Sequence, residues 1–230
     1  MKHFAIIPAR KNSIGLKNKN RFLFDITARF LKKINWFENI LISTDDKFLE
    51  IKALKKGYVI HKRSKKNSRS VASIKSVMIE VCKKFNFDKN DIIWLFYLTI
   101  PLRNVKDFQF AKKKITMKNV NSMISLRGAL THPDDTWKIK NKKILKFTKN
   151  EVFRRQDKIK LFEHFHYISV FKVKELKKLN EELINENTYP IFIDDKKKNS
   201  LIEIDNKHDY QLFLNLKNKK VLKFITGNKP

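Results

Sequence analysis

Arg10, Lys11, Asn12, Ser13, Gly15, Lys17, Asn18, Lys19 and Asn20 follow one another closely, directly after a short apolar run at 4–7 that stops at Pro8. Cations, small polar donors and the one glycine of the first fifty residues are gathered in a single loop. A polyanion such as a nucleotide triphosphate calls for these groups. Arginine offers a planar fork to phosphate oxygens, lysine a point charge, and glycine lets the backbone come close. The loop is neither GxxxxGK[ST] nor GxGxxG. A solvated basic loop is the plain alternative. Near the other end, Glu203 and Asp205 alternate in LIEID, so on an extended chain both carboxylates face one way. A solvated strand end followed by a helix cap explains them equally. Asp45 and Asp46 close the run NILIS and stand where a helix from Lys47 needs a cap or a metal needs ligands. His132, His164 and His166 lack zinc-site spacing and cysteine partners, and no metal is assigned to them.

Alternating elements must position these groups. Short apolar runs at 4–7, 39–43, 58–60 and 91–98 read as strands, the last buried on both faces. Helical spacing covers 25–36, 47–56 and 71–85. The pattern predicts βαβ units, a mostly parallel Rossmann-like sheet flanked by helices, and binding groups at the carboxyl ends of strands. Arg10, Asp45 and Arg103 all fall at such ends. Further on, 121–127 reads as a strand and 137–147 as a hairpin turning near Asn141. Segment 130–165 is expected to leave the main sheet as a lid or subunit contact. Strands at 167–173, 190–193 and 201–205 and helices at 174–185 and 208–216 complete a single domain over 1–217, with a basic tail at 218–230.

The chain has 230 residues, 42% of them hydrophobic, and a formal charge of +29. Its cations are spread along the whole length, which fits compositional drift better than a nucleic-acid footprint, although anionic substrates would be attracted. The single cysteine, Cys82, forms no internal disulfide and suits a reducing compartment. No run reaches membrane-spanning length, and a cytoplasmic protein is expected.

In order, IIPARKNSIGLKNKN, NILISTDD, Lys62-Arg63-Ser64 with 68–74, LTIPLR, RRQD and LIEIDNKHD resemble the motifs of the acylneuraminate cytidylyltransferase family. The resemblance runs from Phe4 to about Leu216. It implies a nucleotide-diphospho-sugar transferase fold, a homodimer, and transfer of CMP from CTP to an acidic, sialic-acid-like sugar with release of pyrophosphate, for cell-surface glycans. By the same resemblance Arg10 and Lys19 would hold the triphosphate, with Asn12, Ser13, Gly15 and Asn20 beside it. Arg63 and Ser73 would lie in the base-reading segment. Arg103, Arg155 and Gln156 would meet the sugar, Arg103 alternatively organising the loop after Pro101 and Arg155 taking the sugar carboxylate or, alternatively, an inter-subunit carboxylate. Asp205, with Glu203, would carry Mg²⁺, a hard cation suited to carboxylate and phosphate oxygens.

The chain departs from that pattern at Ile14, Arg69, Tyr97, Asp135 and Glu203, and at Phe165, His166 and Tyr167, which replace Asn-Gly-Ala. A changed sugar acceptor or an inactive, nucleotide-binding relative would follow. A glycosyltransferase using Asp45 and Asp46 as its metal pair is the other reading.

Overall fold

The computed structural model describes residues 1–11, 15–150, 152–194 and 201–218. In chain order its elements are β1 (His3–Ala9), α1 (Lys19–Lys32), β2 (Asn39–Thr44), α2 (Lys47–Leu54), β3 (Val59–Lys62), α3 (Ile74–Phe85), β4 (Ile92–Leu95), α4 (Val105–Ile115), β5 (Ser122–Gly128), β6 (Trp137–Lys140), β7 (Lys143–Lys146), β8 (Phe162–Lys172), β9 (Tyr189–Phe192) and α5 (Lys207–Asn218). β6 and β7 form a separate hairpin, and the other strands make one seven-stranded sheet in the order β3-β2-β1-β4-β8-β5-β9. Only β8 runs against its neighbours, β4 and β5. The expected mostly parallel α/β sheet is therefore present, and the carboxyl ends of β1 to β5 share one edge with the amino end of β8.

Apolar runs without polar alternation make the central strands, because both faces of the sheet are covered. Ala5, Ile7, Trp94 and Phe96 enter one core with Leu23, Phe24 and Leu31 of α1 and Phe108 of α4. Phe4, Ile6, Ile93 and Leu95 enter the other with Val77, Met78 and Val81 of α3. Each such side chain contributes roughly 1.5–3 kcal/mol on burial. Trp94 is anchored further by its Nε1–H, which donates to His3 Nδ1 at 3.0 Å.

Several elements differ from their sequence reading. α1 begins at Lys19 rather than 25, since Asn18 turns the chain at φ 60 and buried Asn20 extends the inner face backwards. α4 was not marked in the sequence; the Asn104 side chain caps it by accepting the Lys106 N–H. No α-helix forms over 174–185, where only a 3-10 turn (Val173–Glu175) opens the segment, despite the helix-like spacing of Leu176, Leu179 and Leu183. The Asn180 carboxamide oxygen accepts the N–H groups of Glu182 and Ile184, at 3.0 and 2.9 Å, and Leu183 adopts φ 63. A side chain competing for backbone donors has replaced the helix. Segment 201–205 joins no ladder, and Ile204 N–H donates to Thr99 O at 2.7 Å. β8 begins at Phe162, inside the segment expected to leave the sheet. The hairpin turns through Asn141 and Lys142, both at positive φ, as its sequence suggested. Residues 219–230 of the basic tail lie outside the described residues.

Candidate active site

The opening loop reaches the strand edge as read, and its neighbours hold it there. Asn20, at the start of α1, donates through Nδ2 to Arg10 O at 2.8 Å. Asp45, after β2, accepts the Lys11 N–H at 2.7 Å. The Thr44 hydroxyl donates to Ala9 O at 2.5 Å, which ties the last residues of β1 and β2. Asn12 and Ser13 lie outside the described residues.

Asp205 comes to this loop from the far end of the chain. Lys19 Nζ is 2.7 Å from Asp205 Oδ1, with Lys19 mostly buried and Asp205 mostly exposed. A Cβ at Gly15 would overlap the Asp205 carbonyl oxygen, so only glycine lets the two segments touch. Glu203 is half-buried, and its carboxyl is pushed above the usual range by burial and then by the charge of Asp205, against the pull of Arg127 and Lys19. Two carboxylates kept together in this way are hard-oxygen donors that suit a magnesium-like cation.

Asp46 is committed elsewhere. It caps α2 by accepting Phe48 N–H at 3.0 Å and takes a two-pronged contact from Arg21, at 2.7 and 3.0 Å. Burial opposes its charge, but these partners hold its carboxyl below the ordinary range. The pair Asp45-Asp46 is thus spent on backbone and Arg21.

Arg63 sits at the end of β3, and its Nε donates to both Ser43 O and Ser43 Oγ at 3.1 Å. Burial lowers its pKa to about 10, with Asp45 favouring and Arg10 opposing the charge. The loop after it hangs on Glu80 of α3, which accepts from Ser64 N, Ser64 Oγ and Asn67 Nδ2. Ser73 caps α3, accepting Ser76 N–H at 3.1 Å, so that acceptor capacity serves the helix. Ser43, His61 and Glu80 line up like a hydrolase triad, with Ser43 Oγ 2.9 Å from His61 Nδ1. Ser43 and His61 are wholly buried, however, and no substrate reaches them.

Arg103 is a buried residue. It is 2% exposed and sunk between α1 and the sheet. It donates to Tyr97 O at 2.6 Å and Thr27 Oγ1 at 3.2 Å, and it lies over the rings of Phe30 and Phe96. Burial lowers its pKa to about 9. It organises the 97–103 loop from below, the second of the two roles its sequence position allowed. Arg155 and Gln156 occupy an exposed 3-10 turn (Arg155–Asp157) beside the hairpin, where Arg154 pairs with Asp157 at 2.7 Å. The structure does not join them to Arg10, Lys19 and Asp205.

The sequence reading named Tyr97, Phe165 and His166 only as departures from the family pattern and assigned no metal to His164 and His166, whereas the structure gathers these groups with Arg127 at the amino end of β8. Arg127 of β5 holds Glu163 at 2.6 Å, lies 4.6 Å from the centre of the Phe165 ring, and acts on Glu203. Tyr97, after β4, packs tilted against His166 at 4.6 Å between ring centres. Its hydroxyl is buried without a hydrogen-bond partner among the described residues. Burial, then Glu182 and Glu203, raise its pKa far above the ordinary value, and Arg63 opposes them. His164, His166 and Glu182 also converge here. The HxH spacing on a strand was the available signal, but Glu182 was read as part of a helix.

This arrangement sets a basic loop after β1 against the carboxylates of 203–205, with Arg127, Tyr97, His164 and His166 at the amino end of β8. No curated protein matches the chain in sequence. Solved structures share its fold. A CMP:2-keto-3-deoxy-manno-octonic acid synthetase complexed with CTP superposes with a TM-score of 0.64 at 14% identity, over 95% of this chain and 100% of that one. A 4-diphosphocytidyl-2C-methyl-D-erythritol synthase gives 0.62 at 12% identity, over 94% and 99%. A cytidylyltransferase from Leptospira borgpetersenii gives 0.58 at 15% identity, over 100% and 99%. The family model described as cytidylyltransferase matches residues 4–223. The chain belongs to the cytidylyltransferase family, and its activity is that of a CTP-dependent nucleotidyltransferase.

Proposed function

We propose that the chain transfers CMP from CTP to an acidic, sialic-acid-like sugar and releases pyrophosphate, supplying an activated sugar for cell-surface glycans. The observation that supports this most is the meeting of the two chain ends: Gly15 against the Asp205 carbonyl, and Lys19 with Asp205 at 2.7 Å. Sequence separation makes that contact costly to form, and it joins a phosphate loop to a carboxylate pair.

In this reading Arg10 and Lys19 neutralise the triphosphate, Asn20 keeps the loop in register through Arg10 O, and Arg63 lies on the base side. Asn12, Ser13 and Gly15 supply neutral contacts. Glu203 and Asp205 would hold Mg²⁺, which supplies charge neutralisation at the reacting phosphate when bound. In-line placement of a sugar hydroxyl against the α-phosphate, with charge compensation, suffices for phosphoryl transfer without a covalent protein partner. Arg155, with Gln156, would take the sugar carboxylate. The solved structure of a synthetase for another acidic keto sugar supports an acidic acceptor. The single cysteine suits a cytoplasmic setting.

The hairpin supports a homodimer. Trp137, Ile139 and Ile144 share one exposed face, and a lone two-stranded hairpin is marginal in water. A second copy of this chain is its proposed cover. The glycosyltransferase reading is disfavoured, since Asp46 is taken by Arg21 and the α2 cap.

Pyrophosphate release from CTP and Mg²⁺ with sialic, legionaminic, pseudaminic and 3-deoxy-octulosonic acids tests the reading. Turnover with one of them names the acceptor. Silence with CTP still bound would point to an inactive relative, and loss of CTP binding would overturn the loop assignment.

A further inference from the structure

At the amino end of β8, His164 and His166 stand two residues apart and face the same way, with ring centres 4.8 Å apart. Their Nε2 atoms lie 4.0 and 3.5 Å from the same oxygen, Glu182 Oε2. All three ligand atoms fall within 4.8 Å of one another. These separations are long for hydrogen bonds. They approach the roughly 3.3–3.5 Å expected between neighbouring ligands of a tetrahedral ion with bonds of about 2.0–2.1 Å.

The scaffold fixes each member. Pairing of β5 with β8 jumps from Ile124↔Ser169 to Leu126↔His164, a bulge that re-aims the β8 side chains. Ser125 replaces the lost ladder bonds by accepting Ile168 N–H at 2.8 Å and donating to Ile168 O at 3.3 Å. Glu182 rides on the Asn180 turn, with Leu183 anchored in the second core at φ 63. A bulky residue at positive φ is strained, and surrounding structure must hold it there. Below the cluster, His166 Nδ1 and Tyr97 Oη are both buried without hydrogen-bond partners among the described residues.

We propose that His164, His166 and Glu182 form a binding site for a divalent transition metal of the zinc class, distinct from the carboxylate pair Glu203 and Asp205. Two imidazoles and one carboxylate favour such an ion over magnesium, which prefers oxygen ligands and water. Three protein ligands leave one coordination position open to water or a ligand oxygen. The ion would clamp the 176–185 segment to β8, beside Tyr97.

The test uses the full chain, stripped with chelator and titrated with Co²⁺ in excess Mg²⁺ to saturate hard-oxygen sites. One equivalent should bind with the visible absorption of a low-coordinate cobalt ion, and Zn²⁺ should displace it. His166→Ala and Glu182→Gln should each weaken binding by roughly 100-fold or more, beyond what loss of an outer-shell partner costs. Asp205→Asn should leave the titration unchanged. His164→Ala provides a further variant if His166→Ala fails to fold, judged by circular dichroism. Absence of stoichiometric binding, or binding indifferent to His164, His166 and Glu182, would overturn the proposal. Because the readout needs neither CTP nor a sugar, it stands or falls separately from the transferase reading.

Discussion

The two halves of the strand edge are built differently. Around β1, β2 and β3, loops at adjacent strand ends bond to one another's backbone: Asn20 to Arg10 O, Asp45 to Lys11 N, Thr44 to Ala9 O, Arg63 to Ser43 O. Around β5, β8 and β9 the sheet reverses direction, bulges, and relies on the hydroxyl of Ser125 and the turn at Asn180. Backbone-to-loop bonding on the first side fixes the positions of Arg10, Lys11 and Arg63. Side chains presented on the second side can change without unmaking the parallel ladder. The comparison teaches that the first side is built into the fold, so the nucleotide proposed to bind there would be recognised largely by groups that the backbone holds in place, whereas the second side carries side chains that can be exchanged.

The largest effect expected lies where the halves meet. Asp205→Asn should lower kcat for pyrophosphate release by on the order of a hundredfold or more, with CTP binding kept. Activity near the original level would show that the carboxylate pair is only a surface feature. Gly15→Ala acts on the same junction through space. The added methyl must push the 205 backbone away, and a displacement near 1 Å costs about a hundredfold in turnover. An unchanged rate would mean that the loop and the closing segment need not touch.

Arg103→Met sharpens the contrast between core and site. It should cost about 1–3 kcal/mol in urea unfolding by orphaning Tyr97 O, while the folded fraction keeps its KM for the acceptor. A selective rise in that KM would return Arg103 to the substrate.

Stability should also respond to pH on both sides. Burial holds His61 and His166 at about 4 when folded, against 6.5 for the free side chain. Above about 6.5 both are neutral in either state and stability is complete. As pH falls from 6.5 towards 4, the unfolded imidazoles take protons that the folded ones refuse, and stability is lost. The loss should be about 1–3 kcal/mol for wholly buried His61, read as a falling urea midpoint and flattened by His61→Gln.

The smallest effect belongs to the exposed excursion. Arg155→Ala should raise the acceptor KM about tenfold, leaving the KM for CTP alone, which separates the acceptor side from the nucleotide side. Equal changes in both would place Arg155 outside the acceptor site.

The sequence by itself carried the alternation of strands and helices, because continuous apolar runs such as IIWL and amphipathic stretches such as 74–85 are set by local periodicity. It also located the basic loop at the end of β1, since residue types in one continuous segment keep their order on folding. Tertiary structure alone decided the rest. Reversal of β8 and its bulge arise from pairing with β4 and β5, which no local pattern encodes. Leu176, Leu179 and Leu183 carry a helical period, yet burial against α3 and capture of backbone donors by Asn180 gave turns instead. Arg103 looked like a substrate ligand by type and motif, but its neighbours in space are Thr27, Phe30 and Phe96. Glu182 acquired its meaning only from two histidines on another element. Chemistry confined to one segment is legible from residue order, whereas chemistry assembled across the sheet depends on which distant surfaces exclude water together.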